Sequence, residues 1–250
     1  MIINRAIVIP DQHAPIQDKK AVNVVLKAID LIKPSIFINL GDVGEWSSVS
    51  GHKYKRRKRP PLEYQIPEIE KEIKAVNKMI DQFDNALEAV SCKKKFILAG
   101  NHDEWLDAFV EENPYLDQYT FRNACKWDER GYEYRKYNEI LTIGKLSFIH
   151  GAYTGNHTRT HLTRYLCNIM YGHVHDVGRL SATSLSGNIN AWGMGCLKDM
   201  SAENNTWLKG RLHNWSHAFG IVHFYKNGDF QVEVIDIIDG KACVWGNELS

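Results

Sequence analysis

The sequence predicts an α/β layered fold, and three observations carry that reading. Short apolar runs rich in Ile, Val and Phe recur along the chain, and each ends at a polar cluster. Segments with apolar residues at helical spacing lie between these runs. Buried strands that alternate with amphipathic helices build a sheet covered on both faces.

The strands come first in the argument. Residues 5–10 (RAIVIP) run into Asp11-Gln12-His13, and 36–40 (IFINL) into Gly41-Asp42. Residues 96–99 (FILA) run into Gly100-Asn101-His102-Asp103. Residues 146–149 (LSFI) lead to His150-Gly151, and 168–171 (NIMY) to Gly172-His173-Val174-His175. Runs of this length bounded by Gly or Pro read as buried strands.

Four helices follow from spacing. Val22, Val25, Leu26, Ile29 and Ile32 make one face of a helix over 20–32. Ile69, Ile73, Val76, Ile80, Phe83 and Leu87 do the same over 67–90, with Pro67 suited to a first helical turn. Residues 103–110 read as a short helix opening after the Gly-Asn-His-Asp cluster, and 158–167 as a fourth.

The tail changes pattern. Residues 220–225 and 230–237 flank Asn227-Gly228, a strong hairpin signal. Residues 180–246 therefore read as antiparallel strands and loops that complete the same domain as a second sheet. No linker divides the chain, so 1–250 is expected to form a single domain, with 51–61 (GHKYKRRKRPP) as an exposed basic loop.

Composition narrows the function classes. The charge sum is 31 − 30 = +1, which argues against a basic nucleic-acid coat or an acidic tail protein. No apolar stretch approaches the roughly 18 residues of a membrane span, and the N-terminal apolar run is too short for a signal peptide. No membrane partner is expected. Cys92, Cys125, Cys167, Cys196 and Cys243 are widely spread and form no Cys-x-x-Cys pair. That argues against a disulfide framework or a thiolate zinc site and fits a reducing cytoplasm.

The chemistry sits at the strand ends. In open α/β sheets the carboxyl ends of neighbouring strands converge on one crevice. Five such ends carry Asp11, His13, Asp42, Asn101, His102, His150, His173 and His175. Carboxylate, amide and imidazole without thiolate suit hard and borderline divalent metals, and more than four ligands point to two ions. Gly41 and Gly44 let the backbone pass close to an ion beside Asp42. An extended His173-Val174-His175 places both imidazoles on one side, within reach of two ions. Each cluster alone is an ordinary loop or strand end, and the ordered series carries the inference.

That series, D-x-H, G-D, G-N-H-D, H-G and G-H-x-H, resembles the calcineurin-like metallophosphoesterase superfamily over residues 7–175. The resemblance implies a four-layer α/β/β/α sandwich, two mixed sheets flanked by helices. It implies one metal held by Asp11, His13, Asp42 and His175, and a second held by Asp42, Asn101, His150 and His173. Asp42 would bridge them, together with a water or hydroxide that attacks the phosphorus in line. His102 would not be a ligand. It would stabilise the transition state or protonate the leaving oxygen.

One departure stands out. Where many family members continue G-D-x-x-D, this chain has Gly41-Asp42-Val43-Gly44-Glu45. Glu45, one methylene longer, is a candidate partner for His102. Asp103 is its rival, and also reads as a first-turn carboxylate facing the positive end of its helix.

The substrate reading rests on less. The arginines of the Ser/Thr protein phosphatase branch are missing at matching positions, which disfavours a protein phosphatase. Lys53, Lys55, Arg56, Arg57, Lys58 and Arg59 crowd seven residues soon after Asp42. Arg56, Arg57 and Arg59 are candidate substrate contacts for a polyanion, set against a plain solvated loop. His157 is a further candidate beside the phosphate, although His157 and His161 both read as surface residues. Trp46, Tyr153, Trp192, Trp207 and Trp215 read either as rings that stack bases or as core, with core the better reading for most of them. The expectation is a phosphodiesterase acting on DNA or RNA, loaded with manganese or else with iron, zinc or nickel. The alternative is a small-molecule or nucleotide phosphatase or phosphodiesterase. A metal-binding protein without turnover is disfavoured by the complete ligand set. The oligomeric state is not set by the sequence.

Overall fold

The computed structural model describes residues 2–55, 57–185 and 187–250. The first half alternates as expected: β1 (Ile2–Ile9), α1 (Lys19–Ile32), β2 (Ile36–Asn39), α2 (Leu62–Ala89), β3 (Lys94–Leu98) and α3 (Asn101–Glu112). A 3₁₀ segment (Pro114–Tyr119) and the single-turn α4 (Phe121–Ala124) lead to β4 (Tyr132–Arg135), β5 (Leu141–Ile143) and β6 (Leu146–Ile149). Then come α5 (His157–Tyr165), β7 (Ile169–Tyr171), β8 (Val177–Ser184) and β9 (Gly187–Met194). A long loop with a 3₁₀ turn (Thr206–Leu208) precedes β10 (His217–Tyr225), β11 (Phe230–Ile237), β12 (Ala242–Val244) and β13 (Asn247–Leu249).

Among the described residues the strands form a six-stranded sheet, β11-β10-β1-β2-β3-β4, a five-stranded sheet, β5-β6-β7-β9-β8, and the ribbon β12-β13. The first sheet is parallel from β1 to β4 and antiparallel at β10 and β11. Three separate hydrophobic cores fix the layering. Ile7 and Ile9 of β1, with Phe37, Ile97, Phe219 and Ile221, pack against α1, α2 and α3. The alternate residues Ala6 and Val8, with Ile38 and Leu98, face Phe148, Met170 and Met194 of the second sheet. Ile149, Ile169 and Tyr171 on that sheet's far side pack against Leu162 of α5. Three cores between four layers give helices, sheet, sheet and helix. The period-two alternation of β1, apolar on both faces, is what a strand sandwiched between two cores requires.

Two expectations need correction. The hairpin β10–β11 is present, with Phe224 opposite Phe230, but it joins the first sheet beside β1 instead of the second. β10 is apolar on both faces: Phe219 and Ile221 enter the helix-side core, while Val222 and Phe224 enter the intersheet core. Only a strand covered on both sides satisfies both sets. The pair β8–β9 does lie in the second sheet.

Pro67 does not begin its helix either; it lies inside α2, which starts at Leu62. The Pro61 carbonyl accepts from Tyr64 and Gln65 amides, at 3.0 and 3.1 Å. The buried Gln65 side chain donates to the Ser48 carbonyl at 2.8 Å. These contacts extend the helix by a turn beyond the proline. α1 is capped as its sequence allows, with Asp18 accepting from the Ala21 amide at 2.7 Å. No helix among the described residues is long and apolar enough to cross a membrane.

Candidate metal centre

The parallel run β1-β2-β3 delivers Asp11, His13, Asp42 and the start of α3 to one edge of the first sheet. The clusters therefore do not all end neighbouring strands of one sheet, because His150 and His173 follow β6 and β7 of the second. The crevice is the seam between the two sheets. Asn101 and His102 occupy the first turn of α3, which opens two residues earlier than expected.

The backbone at this seam is held in sparsely populated conformations. Asp11 (φ 34°), His13 (φ 52°), Asp42 (φ 49°), His173 (φ 71°) and His175 (φ 64°) are all in the left-handed region. Such residues cost energy and cluster where a surrounding structure over-determines them, often at functional sites. His173-Val174-His175 is therefore not extended, and its two imidazoles enter different groups. The glycines of the motifs are needed for close approach: a Cβ at Gly100 would collide with the Asp42 carboxylate, and one at Gly172 with that of Asp11.

Among the described residues three groups have their ligand-type atoms within 4.8 Å of one another: the buried Asp11–His13–His175, the largely buried Asp42–His150–His173, and the more open His13–Glu45–His102. His13 Nε2 lies 3.1 Å from His175 Nε2, and His175 Nε2 is 3.5 Å from Asp11 Oδ1. Asn101 Oδ1 is 2.7 Å from His173 Nδ1 and 3.2 Å from His150 Nε2. Asp42 joins the first two groups: its Oδ2 lies 3.6 Å from His13 Nε2 and 3.4 Å from His150 Nε2. Its other oxygen, Oδ1, accepts the His102 amide at 2.8 Å. Asp11 accepts the His173 amide through both oxygens, at 2.9 and 3.0 Å.

The imidazoles are oriented from behind. His150 donates Nδ1–H to the Leu40 carbonyl at 2.8 Å, and His13 donates Nδ1–H to Glu45 Oε2, also at 2.8 Å. In each case Nε2 is turned toward Asp42, with its lone pair available in the neutral His13 and released in His150 when a cation displaces the proton there, the arrangement by which a ligating histidine is held. The donor set of imidazole, carboxylate and amide fits a divalent cation in each of the two groups that Asp42 joins.

Charge reinforces the geometry. Burial, then the nearby Lys198, lowers His13 to about 4. Burial and His150 lower His173 to about 4. Both are neutral at pH 7. Burial opposes ionisation of Asp42, but the neighbouring His150, His102 and His13 hold its carboxyl well below the usual carboxylate range. Burial likewise works against a charged His150, yet the Asp42 carboxylate, Asp11 and the Leu40 carbonyl carry it up to about 9. Asp42 thus draws positive charge to the point between the two groups.

His102 lies beside the two groups that Asp42 joins, in the third group with His13 and Glu45. Its Nδ1 donates to the Glu45 carbonyl oxygen at 3.0 Å and lies 3.9 Å from the Glu45 carboxylate. Its ring is 4.6 Å from that of His13 and packs 4.0 Å from Trp105. The Glu45 carboxylate instead serves His13 and the buried Lys198, whose Nζ is 3.1 Å away. The Asp103 carboxylate is engaged by other donors than the His102 ring. It is fully buried and accepts from the Gly100 amide at 2.9 Å, the Trp46 indole at 2.9 Å, and the Val43 and Gly44 amides at 3.3 Å. It caps α3 and ties that helix to the turn that carries Asp42.

Other candidates scatter. Arg56 lies outside the described residues, and Arg57 is exposed. Arg59 ion-pairs with Glu112 and lies 5.8 Å from the Phe109 ring, so its charge already has a partner. His157 is half-buried, not on the surface, bonded to the Tyr171 hydroxyl at 2.8 Å and 3.3 Å from Asp176. His161 is fully buried and stacked on Tyr171 at 3.8 Å, because its side of α5 packs on the second sheet. Trp46 and Trp192 are core, but Trp207 is exposed and Trp215 and Tyr153 are half-buried. Sequence reasoning missed Lys198, which arrives from a loop with no local pattern. It also missed Trp105, which the helical i, i+3 spacing from His102 would have revealed.

No family model matches the chain. It is 24% identical over 266 residues to the Gene 54 protein of Mycobacterium phage D29, covering 97% of both chains. Among solved structures it is similar to Yfce, a phosphoesterase from E. coli, at 14% identity and a TM-score of 0.42, covering 92% of this chain and 98% of that one. It is also similar to Vps29 of Chaetomium thermophilum, at 10% identity and a TM-score of 0.40, covering 94% and 98%.

Proposed function

We propose that this chain is a calcineurin-like metallophosphoesterase that cleaves a phosphodiester with the help of two divalent cations. The observation that carries the reading is Asp42 Oδ2, set between His13 Nε2 and His150 Nε2 at 3.6 and 3.4 Å, one oxygen shared by two buried ligand groups. Asp11, His13, Asp42 and His175 would hold one ion, and Asp42, Asn101, His150 and His173 the other. When bound, such a pair neutralises phosphoryl oxygens and supplies an activated water at neutral pH.

The chain's own groups do the rest. The glycines and left-handed turns fix the ligands before any ion arrives, so little reorganisation accompanies binding. His102, oriented by the Glu45 carbonyl and the Trp105 ring, is the group free to stabilise or protonate the leaving oxygen.

Nucleic acid is the favoured substrate because of where the basic loop lies. Gly51 and His52 pack on Trp105, which in turn packs on His102. Lys53, Lys55, Arg57 and Lys58 are exposed on the same loop. Cationic side chains so placed suit a polyanion whose scissile phosphate sits at the centre.

The test is a metal-reconstituted screen over Mn²⁺, Fe²⁺, Zn²⁺ and Ni²⁺ with single-stranded DNA, duplex DNA, RNA, cyclic nucleotides and chromogenic mono- and diesters. Diester hydrolysis that Asp42→Asn abolishes is expected. Absence of hydrolysis with every metal and ester would sink the proposal.

A further inference from the structure

Beside the His175 edge of the centre the structure holds an aromatic shelf that neither the ligand groups nor the core uses. The Trp215 ring lies 4.7 Å from that of His175 at 64°. Trp207 follows at 5.8 Å from Trp215, and His213 at 4.5 Å, inclined by 45° and 37°. The three rings thus lead from a proposed ligand out to solvent, where Trp207 is 56% exposed. Tyr64, Tyr115 and Trp245 are exposed too, but Trp207 is joined through the Trp215 ring to the His175 edge of the centre, and a tryptophan ring offers a ligand a large apolar face with a polar tip.

The shelf is anchored rather than loose. The Ser216 amide donates to the His175 carbonyl at 2.9 Å, and Asp176 pairs with Trp215 in a backbone bridge. The Trp207 turn is held from below by Asn205, a buried side chain whose amide donates to the Asp199 and Ser201 carbonyls at 2.9 and 2.8 Å. The intervening residues include Lys209 and Arg211, both exposed and both cationic.

We infer that Trp207, Trp215 and His213 form a stacking site for a nucleobase carried by the phosphoester at the centre. The inference rests on the phosphoesterase reading and names the substrate class within it. Every base presents a π-face, so tryptophan and imidazole rings accept bases with little sequence preference. The neighbouring cations suit the phosphate that comes with the base. An ester with an alkyl group in place of the nucleoside offers the rings nothing to stack on.

Two esters with the same leaving group test this on the manganese-loaded protein: thymidine 5′-(p-nitrophenyl phosphate) and methyl p-nitrophenyl phosphate. Trp207→Ala is expected to lower the ratio of their kcat/KM values, thymidine over methyl, by about 5- to 100-fold, with Trp207→Phe recovering most of it. A ratio that does not change, including an equal loss on both esters, overturns the shelf. Trp207 is exposed, so its replacement leaves the core intact. A second measurement needs no turnover: AMP titrated into the loaded protein and followed by tryptophan fluorescence, with Kd expected to rise by a similar factor in Trp207→Ala. If neither these esters nor any other in the screen is hydrolysed with any of the four metals, the phosphoesterase reading has failed, and the AMP titration still decides the shelf, an unchanged Kd rejecting it. An oligothymidylate assayed alongside identifies the source of the base. A larger Trp207→Ala effect on the strand than on the mononucleotide assigns the shelf to a nucleic-acid strand, and equal effects assign it to nucleotides generally.

Discussion

Glu45 Oε2 accepts the Nδ1 hydrogen of His13 at 2.8 Å. The chain of contacts continues to Lys198 Nζ, 3.1 Å from the same oxygen. This pairing fixes the tautomer of His13 and holds Glu45 ionised: burial opposes ionisation, but the His13 hydrogen bond and the nearby cations bring the carboxyl down to about 2. Partners of this kind typically govern metal affinity by about 10- to 100-fold. Glu45→Gln is expected to weaken Mn²⁺ binding by that factor, read by isothermal titration calorimetry. Unaltered affinity would mean that His13 is oriented by its backbone alone.

His102 makes the complementary case. It is close to His13, and its Nδ1 is committed to the Glu45 carbonyl. His102→Ala should leave Mn²⁺ binding within about twofold while lowering kcat by about 10²- to 10⁴-fold. A metal titration run beside steady-state kinetics decides it, since lost metal would make His102 a ligand.

Asp103 has a different part, organising the turn that presents Asp42. Four donors converge on its buried carboxylate, from Gly100, Val43, Gly44 and Trp46. Removing the acceptor strands those donors, each costing about 1–3 kcal/mol when left unsatisfied. Asp103→Ala is expected to destabilise the fold by about 3 kcal/mol or more, visible as a lower urea midpoint. An unfolding free energy within about 0.5 kcal/mol of the parent would show that water replaces the carboxylate.

Much of this was legible in the sequence because the two strongest signals coincide. Apolar runs mark β1, β2, β3, β6 and β7, and the polar residue after each run is delivered wherever the strand stops. What the sequence could not convey was which sheet each strand joins. β10 reads as an ordinary hairpin strand, and its place beside β1 follows from two apolar faces that need two covering layers. Likewise, Asp103 and Glu45 both read from the sequence as candidate partners of His102. Only the left-handed turn at Asp42 sends one into the helix cap and the other to His13. Lys198 and Trp215 come from loops, where position depends on tertiary anchoring and no periodicity announces it.

His161 yields a pH prediction. Its Nδ1–H donates to the His157 carbonyl at 2.7 Å, and its Nε2 accepts the Ala152 amide at 3.3 Å. Both ring nitrogens are thus satisfied only in the neutral form. A second proton would face Nε2–H against an amide N–H. Burial lowers the group from 6.5 to about 4. In the unfolded chain the imidazole protonates near 6.5, so between about 6.5 and 4 the unfolded state binds the extra proton. The neutral site's contribution is therefore complete above 6.5 and is lost as pH falls toward 4, at up to about 1.4 kcal/mol per pH unit. His161→Gln keeps a donor for His157 and an acceptor for Ala152 but cannot titrate. In metal-free protein, urea unfolding from pH 7 to 4.5 should show a shallower loss of stability for this variant than for the parent. Parallel profiles would place the acid sensitivity elsewhere, with His13 and His173 the next groups to replace.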